Sequence, residues 1–215
     1  MNAPMQIHTI VSMPFEENTY VVWREGNGDA IVIDPGMEPD AILAFLADRG
    51  LGVAAILNTH GHADHIAGNG PLKARFPGAP LGIGVNEAAL LTDADLNLSA
   101  PFGLPILSPP ADQTVHEGDV LAFADFTLET FEIPGHSPGH VVFLLRGTPC
   151  VVFGGHVLFR GSIGRTDFPG GSFDRLQAGI QKKLYTLPDD TVVYPGHGPA
   201  TTVGHERRTN PWVQG

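Results

Sequence analysis

Apolar residues in the first third of the chain come in short runs broken by turn residues. Gln6–Ser12, Thr19–Arg24 and Ala30–Asp34 are rich in β-branched side chains and are separated by signals such as Gly26-Asn27-Gly28-Asp29, which predicts three strands. A longer period follows. Ile42, Phe45, Leu46 and Arg49 share one face of a helix over Pro39–Arg49, with Pro39 suited to its first position and Gly50 to the residue past its end. Ala54–Leu57 is another apolar strand and runs into Asn58-Thr59-His60. Asn86–Leu98 reads as helical, and the prolines of Ala100–Pro110 predict a loop. The strand signal returns at Val120–Phe123, Thr127–Ile133, His140–Leu145 and Cys150–Phe153. Phe173, Leu176, Ile180 and Leu184 give a second amphipathic helix over Phe173–Tyr185, and Thr191–Tyr194 is a last strand.

The two halves rhyme: strands, then helix, then strand. Two sheets packed face to face with helices outside would bury these runs. The 27 glycines and 19 prolines are spread throughout, with no linker or low-complexity tract, so residues 1–215 are expected to form one domain.

Composition narrows the function classes. With 12 basic and 23 acidic residues the formal charge is −11, which argues against a nucleic-acid partner, since phosphate contacts need clustered Lys and Arg. An anionic small substrate stays open, because a bound metal makes a pocket locally positive. The single cysteine, Cys150, allows no intrachain disulfide and sits at a strand start, which suggests packing. No signal peptide and no apolar run of membrane-spanning length is present, so the expected location is the cytoplasm, with no membrane partner. Nothing in the pattern sets an oligomeric state.

The histidines carry the chemistry. Six of the ten lie in four short stretches at predicted strand ends: Thr59-His60-Gly61-His62-Ala63-Asp64-His65, Pro134-Gly135-His136, Gly154-Gly155-His156 and Pro195-Gly196-His197-Gly198-Pro199. Loops at strand ends can converge on one pocket. The first stretch is the strongest signal, since three imidazoles and a carboxylate in six residues are ligands for zinc, iron or manganese. Gly61 and Ala63 keep the loop slim, so alternate side chains can turn to one cavity. A lone Pro-Gly-His is an ordinary turn, but His136 and His197 gain weight because the first cluster needs partners from elsewhere in the chain. His140 reads as a structural or hydrogen-bonding residue, and His8, His116 and His205 as surface or structural ones. At His156 three readings stand: packing, metal binding, or occupying a place where another residue type normally stands.

The chain resembles the metallo-β-lactamase fold hydrolases, and more narrowly the short bacterial glyoxalase II-like (hydroxyacylglutathione hydrolase-like) proteins. The marks are Asp34-Pro35-Gly36, THGHADHIAG at 59–68, PGHSPGH at 134–140, LFRGSIGRTDFPGG at 158–171 and PGHGPATTVGHERRTNP at 195–211. The resemblance implies a four-layer αβ/βα sandwich of two mixed β-sheets with the metals at one edge. It implies that His60, His62 and His136 hold one metal and Asp64, His65 and His197 a second, with zinc the expected ion and iron or manganese as alternatives. Asp34 would hydrogen-bond a ligand histidine. A water activated by the metals, oriented by Asp64, would attack a thioester carbonyl. Arg165 stands where glyoxalase II enzymes place a basic residue toward glutathione; an ordinary turn-stabilising arginine is the other reading. Those enzymes also carry a helical C-terminal extension that helps hold glutathione. The sequence stops at Gly215, so the expected substrate is a small-molecule thioester, either glutathione-linked or smaller and different.

His156 departs from the family pattern, which has an aspartate bridging the two metals there. Neutral imidazole brings one lone pair and no charge. Two divalent ions about 3.5 Å apart repel by roughly 19 kcal/mol at an effective dielectric of ~20, so a lost bridging anion matters. The expectation is one tightly held metal with His156 as an added ligand, and a second that is weak or absent. A mononuclear iron persulfide dioxygenase shares this fold, but it too has aspartate at 156. A weakly active or non-catalytic metal-binding relative, lactonases and β-lactamases complete the alternatives.

Overall fold

The computed structural model describes residues 3–215. Six strands cross the first sheet in chain order: β1 (Met5–Ser12), β2 (Glu17–Arg24), β3 (Asp29–Ile33), β4 (Gly52–Asn58), β5 (Leu81–Gly84) and β6 (Gln113–Val115). β1 to β3 are antiparallel, and β3 to β6 are parallel. The second half supplies β7 (Val120–Phe123), β8 (Phe126–Glu132), β9 (Val141–Leu145), β10 (Val151–Gly155), a small hairpin of β11 (Leu158–Phe159) and β12 (Ser162–Ile163), then β13 (Val192–Pro195) and β14 (Thr201–Thr202). Its main sheet has the order β14-β13-β10-β9-β8-β7. Among the described residues five α-helices complete the fold: α1 (Pro39–Arg49), α2 (Ala63–Ile66), α3 (Asn69–Arg75), α4 (Phe173–Gly179) and α5 (Val203–Thr209).

Three apolar layers hold these elements. Between the sheets, Tyr20, Val22, Ile31, Ile33 and Leu57 meet Leu128, Phe143, Val151 and Phe153. The alternate residues of the same strands, Val21, Ala30, Val32 and Ile56, face outward against Ile42 and Leu46 of α1 and Leu72 of α3. On the other side Val142, Leu144, Val152 and Val193 pack on Leu176, Ile180, Leu184 and Val203. Both faces of the central strands are therefore buried, so they read as continuous apolar runs. This is the expected αβ/βα sandwich. Buried Cys150 joins the outer layer of the second sheet.

Helix α1 follows its sequence signals, with Pro39 in its first turn and Gly50 at φ 64° donating its N–H to the carbonyls of Ala47 and Leu46. The expected helix over Asn86–Leu98 is corrected to a 3-10 segment at Val85–Thr92 followed by turns. Asp93 stops it: its carboxylate accepts the N–H groups of Asp95 and Leu96, a local turn that competes with helix continuation. The Ala100–Pro110 loop contains one 3-10 turn, Ala100–Phe102. The second long helix ends its α portion at Gly179 and continues as a π turn over Ile180–Leu184. Helices α2, α3 and α5 and strands β5, β6, β11, β12 and β14 are additions to the sequence reading. Among the described residues no helix is long and apolar enough to cross a membrane.

The functional edge is tied together by backbone hydrogen bonds between the loops. Val141 donates to Thr59, Asn18 to Gly196, and Gly196 to Gly155, at 2.8, 2.7 and 2.8 Å. All four histidine stretches thereby meet at one end of the sandwich.

Candidate metal centre

The centre is built first from the loop after β4. Asp34, just past β3, has φ 48°, a left-handed conformation that Asp tolerates better than most residues. Its carboxylate is fully buried against Thr59, accepting the Thr59 N–H and hydroxyl at 2.7 Å each. With its proton given to Asp34, the Thr59 oxygen is free to accept from His60 Nδ1, 3.1 Å away. His60 Nε2 is thereby left as a bare lone pair, and it has no hydrogen-bond partner among the described residues. Asp34 Oδ2 also lies 3.1 Å from His65 Nδ1. One buried carboxylate thus steers two imidazoles, His65 by contact and His60 through Thr59.

The remaining loops use the same device. His136 Nδ1 donates to the Arg165 carbonyl and His197 Nδ1 to the Phe15 carbonyl, both at 2.8 Å. Each bond fixes the tautomer that aims Nε2 inward. The His197 loop is pinned across the sandwich by Asn18, which donates to the Pro195 and Gly198 carbonyls, and by the Tyr20 hydroxyl on Pro195.

His156 follows a bulge in β10, where the pairing with β13 shifts register between Phe153 and Gly155. Gly155 has φ 46°, and a Cβ there would lie 2.3 Å from Thr59 Oγ1 and 2.6 Å from His140 Nε2, so glycine is required twice over. The His156 N–H donates to His140 Nε2 at 2.9 Å. His140, fully buried and stacked on His60 with ring centroids 4.8 Å apart, therefore holds the backbone at 156.

The donor atoms gather into two overlapping groups. Those of Asp64, His65, His156 and His197 lie within 4.8 Å of one another, as do those of His60, His136 and His156. His62 joins the second group, with Nδ1 3.0 Å from His136 Nε2. His156 Nε2 is 2.9 Å from His65 Nε2. Asp64 Oδ2 lies 3.5 Å from His65 Nε2 and 3.3 Å from His197 Nε2, an atom with no directed hydrogen bond among the described residues. Asp34, His60 and His65 also lie close together, but both Asp34 oxygens are filled by Thr59, so we do not count a third ion position.

Burial sets the protonation of the cluster. It holds His60, His140 and His156 well below the ordinary imidazole value, and neighbouring imidazoles add to the effect. His62 is lowered to about 3, by burial and then by His136; His136 is lowered to about 4, chiefly by burial. Burial alone would raise Asp64, but His65 and His197 hold it below the usual carboxylate range. At His65 burial opposes the proton, yet Asp64 and Asp34 prevail and raise it. The result is a set of imidazoles, with His60, His62, His136 and His156 favoured neutral, gathered around the carboxylate of Asp64 with ring nitrogens turned toward one another. That donor set fits divalent metal ions.

All seven expected metal residues meet here. Arg165 lies at the rim, its exposed guanidinium held by both oxygens of Asp167 at 2.7 Å and lying 4.0 Å from the Phe168 ring centroid. The other histidines are elsewhere: His8 stacks on Phe45, His116 sits beside Asp119, and His205 lies exposed on α5.

Two buried acids escaped the sequence reading. Glu87 accepts the N–H of Gly61 at 2.9 Å and of Gly139 at 2.7 Å, clamping the first and second histidine loops together. A lone glutamate in an ambiguous stretch carries no sequence signal for that role. Glu17 is fully buried 3.8 Å from His65 Nδ1, and burial followed by Asp34 and Asp64 raises its pKa well above the usual range.

A cavity of about 310 Å³ opens onto the cluster, with His62, Asp64, His136, His156 and His197 in its wall. The chain is similar to curated and solved proteins. Hydroxyacylglutathione hydrolase GloC of Haemophilus influenzae is 35% identical over 211 residues, covering 97% of this chain and 98% of that protein. The crystal structure of the BLEG-1 B3 metallo-beta-lactamase matches with a TM-score of 0.93 and 37% identity, over 98% of this chain and 100% of that one. TTHA1623 in a di-iron-bound form matches with a TM-score of 0.85 and 40% identity, over 96% and 100%. The sequence model of the Metallo-beta-lactamase superfamily matches residues 13–197. The chain therefore belongs to the metallo-beta-lactamase superfamily, as a metal-binding member of the hydrolase type.

Proposed function

We propose that the protein hydrolyses thioesters. His60, His62 and His136 would hold one metal ion, Asp64, His65 and His197 a second, and His156 stands between the two sets. The observation that carries this reading is the cavity, which brings a substrate directly against donor atoms from both sets. The 35% identity to a hydroxyacylglutathione hydrolase over nearly the whole chain supports the thioester over other acyl substrates. Zinc suits the nitrogen and carboxylate donors, and iron or manganese can take the same set.

Bound ions would bring the acidity of water toward neutral pH and polarise a carbonyl. The protein's own groups do the rest. Asp64, held anionic, accepts a hydrogen bond from the attacking water and orients it. Attack forms a carbon–oxygen bond and breaks the carbon–sulfur bond, giving a carboxylic acid and a thiol that takes the water's other proton. His136, His60 and His197 are held in one tautomer by Arg165, Thr59 and Phe15, so their Nε2 atoms need no reorganisation. His156 contributes a lone pair without a charge, which favours one tightly held ion over two equal ones.

The test is metal content and turnover measured on the same preparation. Zinc-, iron- and manganese-loaded protein is assayed with S-lactoylglutathione and with uncharged acyl thioesters. Thioester turnover abolished by chelation is the expected result. A loaded protein that cleaves no thioester but consumes oxygen with glutathione persulfide would replace this reading with the dioxygenase.

A further inference from the structure

We infer that the thioester substrate brings an apolar acyl chain larger than acetyl and no anionic carrier group, a deepening that rests on the hydrolase reading above. Besides the metal-site residues, the cavity is lined by apolar side chains from four separate segments: Phe15 between β1 and β2, Met37 before α1, Leu98, Leu104 and Ile106 after the 3-10 segment, and Phe168 before α4. Phe15 is 46% and Leu104 68% exposed, large apolar surface that a soluble protein has reason to hide. Apolar side chains converging from distant segments on reactive groups make a binding wall.

The wall is built, not incidental. Leu98 is held at φ 68°, a strained conformation for a branched side chain. Buried Asn97 holds it there. Its amide donates to the Leu90 and Ile106 carbonyls, and its oxygen accepts from the Ser99 N–H and hydroxyl. The Ser99 oxygen accepts the Ile106 N–H at 3.0 Å. This network presents Leu98 and Ile106 to the cavity from a fixed loop.

Away from the metal floor, charge disfavours an anionic carrier. Glutathione carries two carboxylates, and desolvating them needs cationic partners. Among the described residues lining the cavity Arg165 is the one cation, and both its Nε and Nη2 are committed to Asp167.

Uncleavable ketone analogues test this without turnover. In them a methylene separates the carbonyl from sulfur: S-(2-oxodecyl)- and S-(2-oxobutyl)-N-acetylcysteamine, and S-(2-oxodecyl)glutathione. Calorimetry on zinc-loaded and chelated protein should give the decyl analogue at least ~30-fold tighter binding than the butyl, the scale of several methylenes leaving water. The glutathione head should add no affinity. Leu104→Asp, and independently Phe15→Ser, should each reduce the decyl preference about tenfold with the melting temperature of the native chain retained. Equal affinity for the two chain lengths, or tighter binding of the glutathione analogue than of its neutral counterpart, overturns the inference. Because binding needs no chemistry, a chain-length preference in a protein that cleaves no thioester sinks only the hydrolase reading. Thioester cleavage indifferent to chain length sinks only the pocket assignment.

Discussion

His65 Nε2 and His156 Nε2 face each other at 2.9 Å, the first fully buried and the second in the wall of the cavity. Two bare nitrogen lone pairs repel at that distance, so a proton or a cation belongs between them. His65 reaches Asp34 and Glu17 on its other side, while the groups around His156 are imidazoles, the Phe159 ring and the one carboxylate of Asp64 that it shares with His65 and His197. The pair thus joins a ligand backed by two further carboxylates to one that has only the shared Asp64.

Replacing His156 by aspartate should restore charge balance. We expect metal content to rise from near one ion per chain toward two, and thioester turnover to rise by at least tenfold, about 1.4 kcal/mol. Elemental analysis of gel-filtered protein checks the first point and steady-state kinetics the second. Two tightly retained ions in the unaltered chain would contradict the charge argument.

Asp34→Asn tests the relay through Thr59. An amide keeps the left-handed backbone but cannot accept both Thr59 donors, so the His60 tautomer is no longer fixed. Metal affinity should fall about 10–100-fold. Competition with a chromophoric chelator measures it, and Asp34→Glu should not rescue, because a longer side chain misplaces both oxygens.

Glu87→Gln should loosen the two loops without touching a metal donor. Glutamine can accept only one of the Gly61 and Gly139 N–H groups, leaving the other facing an amide donor in a buried site. The expected cost is about 2–3 kcal/mol in denaturant unfolding, with weaker metal retention alongside. Unchanged stability would show that the clamp is redundant.

Acid should destabilise the metal-free protein. His62 and His136 have native values of about 3 and 4, against about 6.5 when unfolded. Between those limits the unfolded chain binds more protons, so stability is full above pH 6.5 and is lost as pH falls. His65, raised in the native state, works in the opposite direction. Each depressed histidine contributes up to ~1.4 kcal/mol per pH unit, so the pair alone gives ~2–3 kcal/mol per unit between pH 4 and 6. Urea midpoints of chelated protein from pH 5 to 7.5 measure this; a flat profile would refute it.

The sequence spoke clearly where one local force decided the structure. Pro39 and Gly50 bracket α1 through backbone chemistry alone, and the buried faces of β2 and β3 leave an unbroken apolar run. It was silent where tertiary contacts decide. Strand β5, Leu-Gly-Ile-Gly, has weak intrinsic preference and exists because β4 and β6 pair with it. Helix α3 begins Asn-Gly-Pro, which reads as a turn, yet its proline lies in the first turn, where a missing N–H costs nothing. In the centre, histidines at strand ends were visible because their spacing is chemical. Of the acids that orient them, Asp34 was named through the family resemblance, whereas Glu87 acts on the Gly61 and Gly139 N–H groups, which any residue but proline carries.

The bond from the His156 N–H to the His140 imidazole, together with the left-handed Gly155, holds position 156 through its own main chain. Nothing in that grip depends on which side chain stands there. The scaffold therefore works as a socket: it decides where a donor is presented and leaves its identity free. A chain built this way can exchange one reactivity for another faster than it can change shape, and its folding machinery would not notice the substitution.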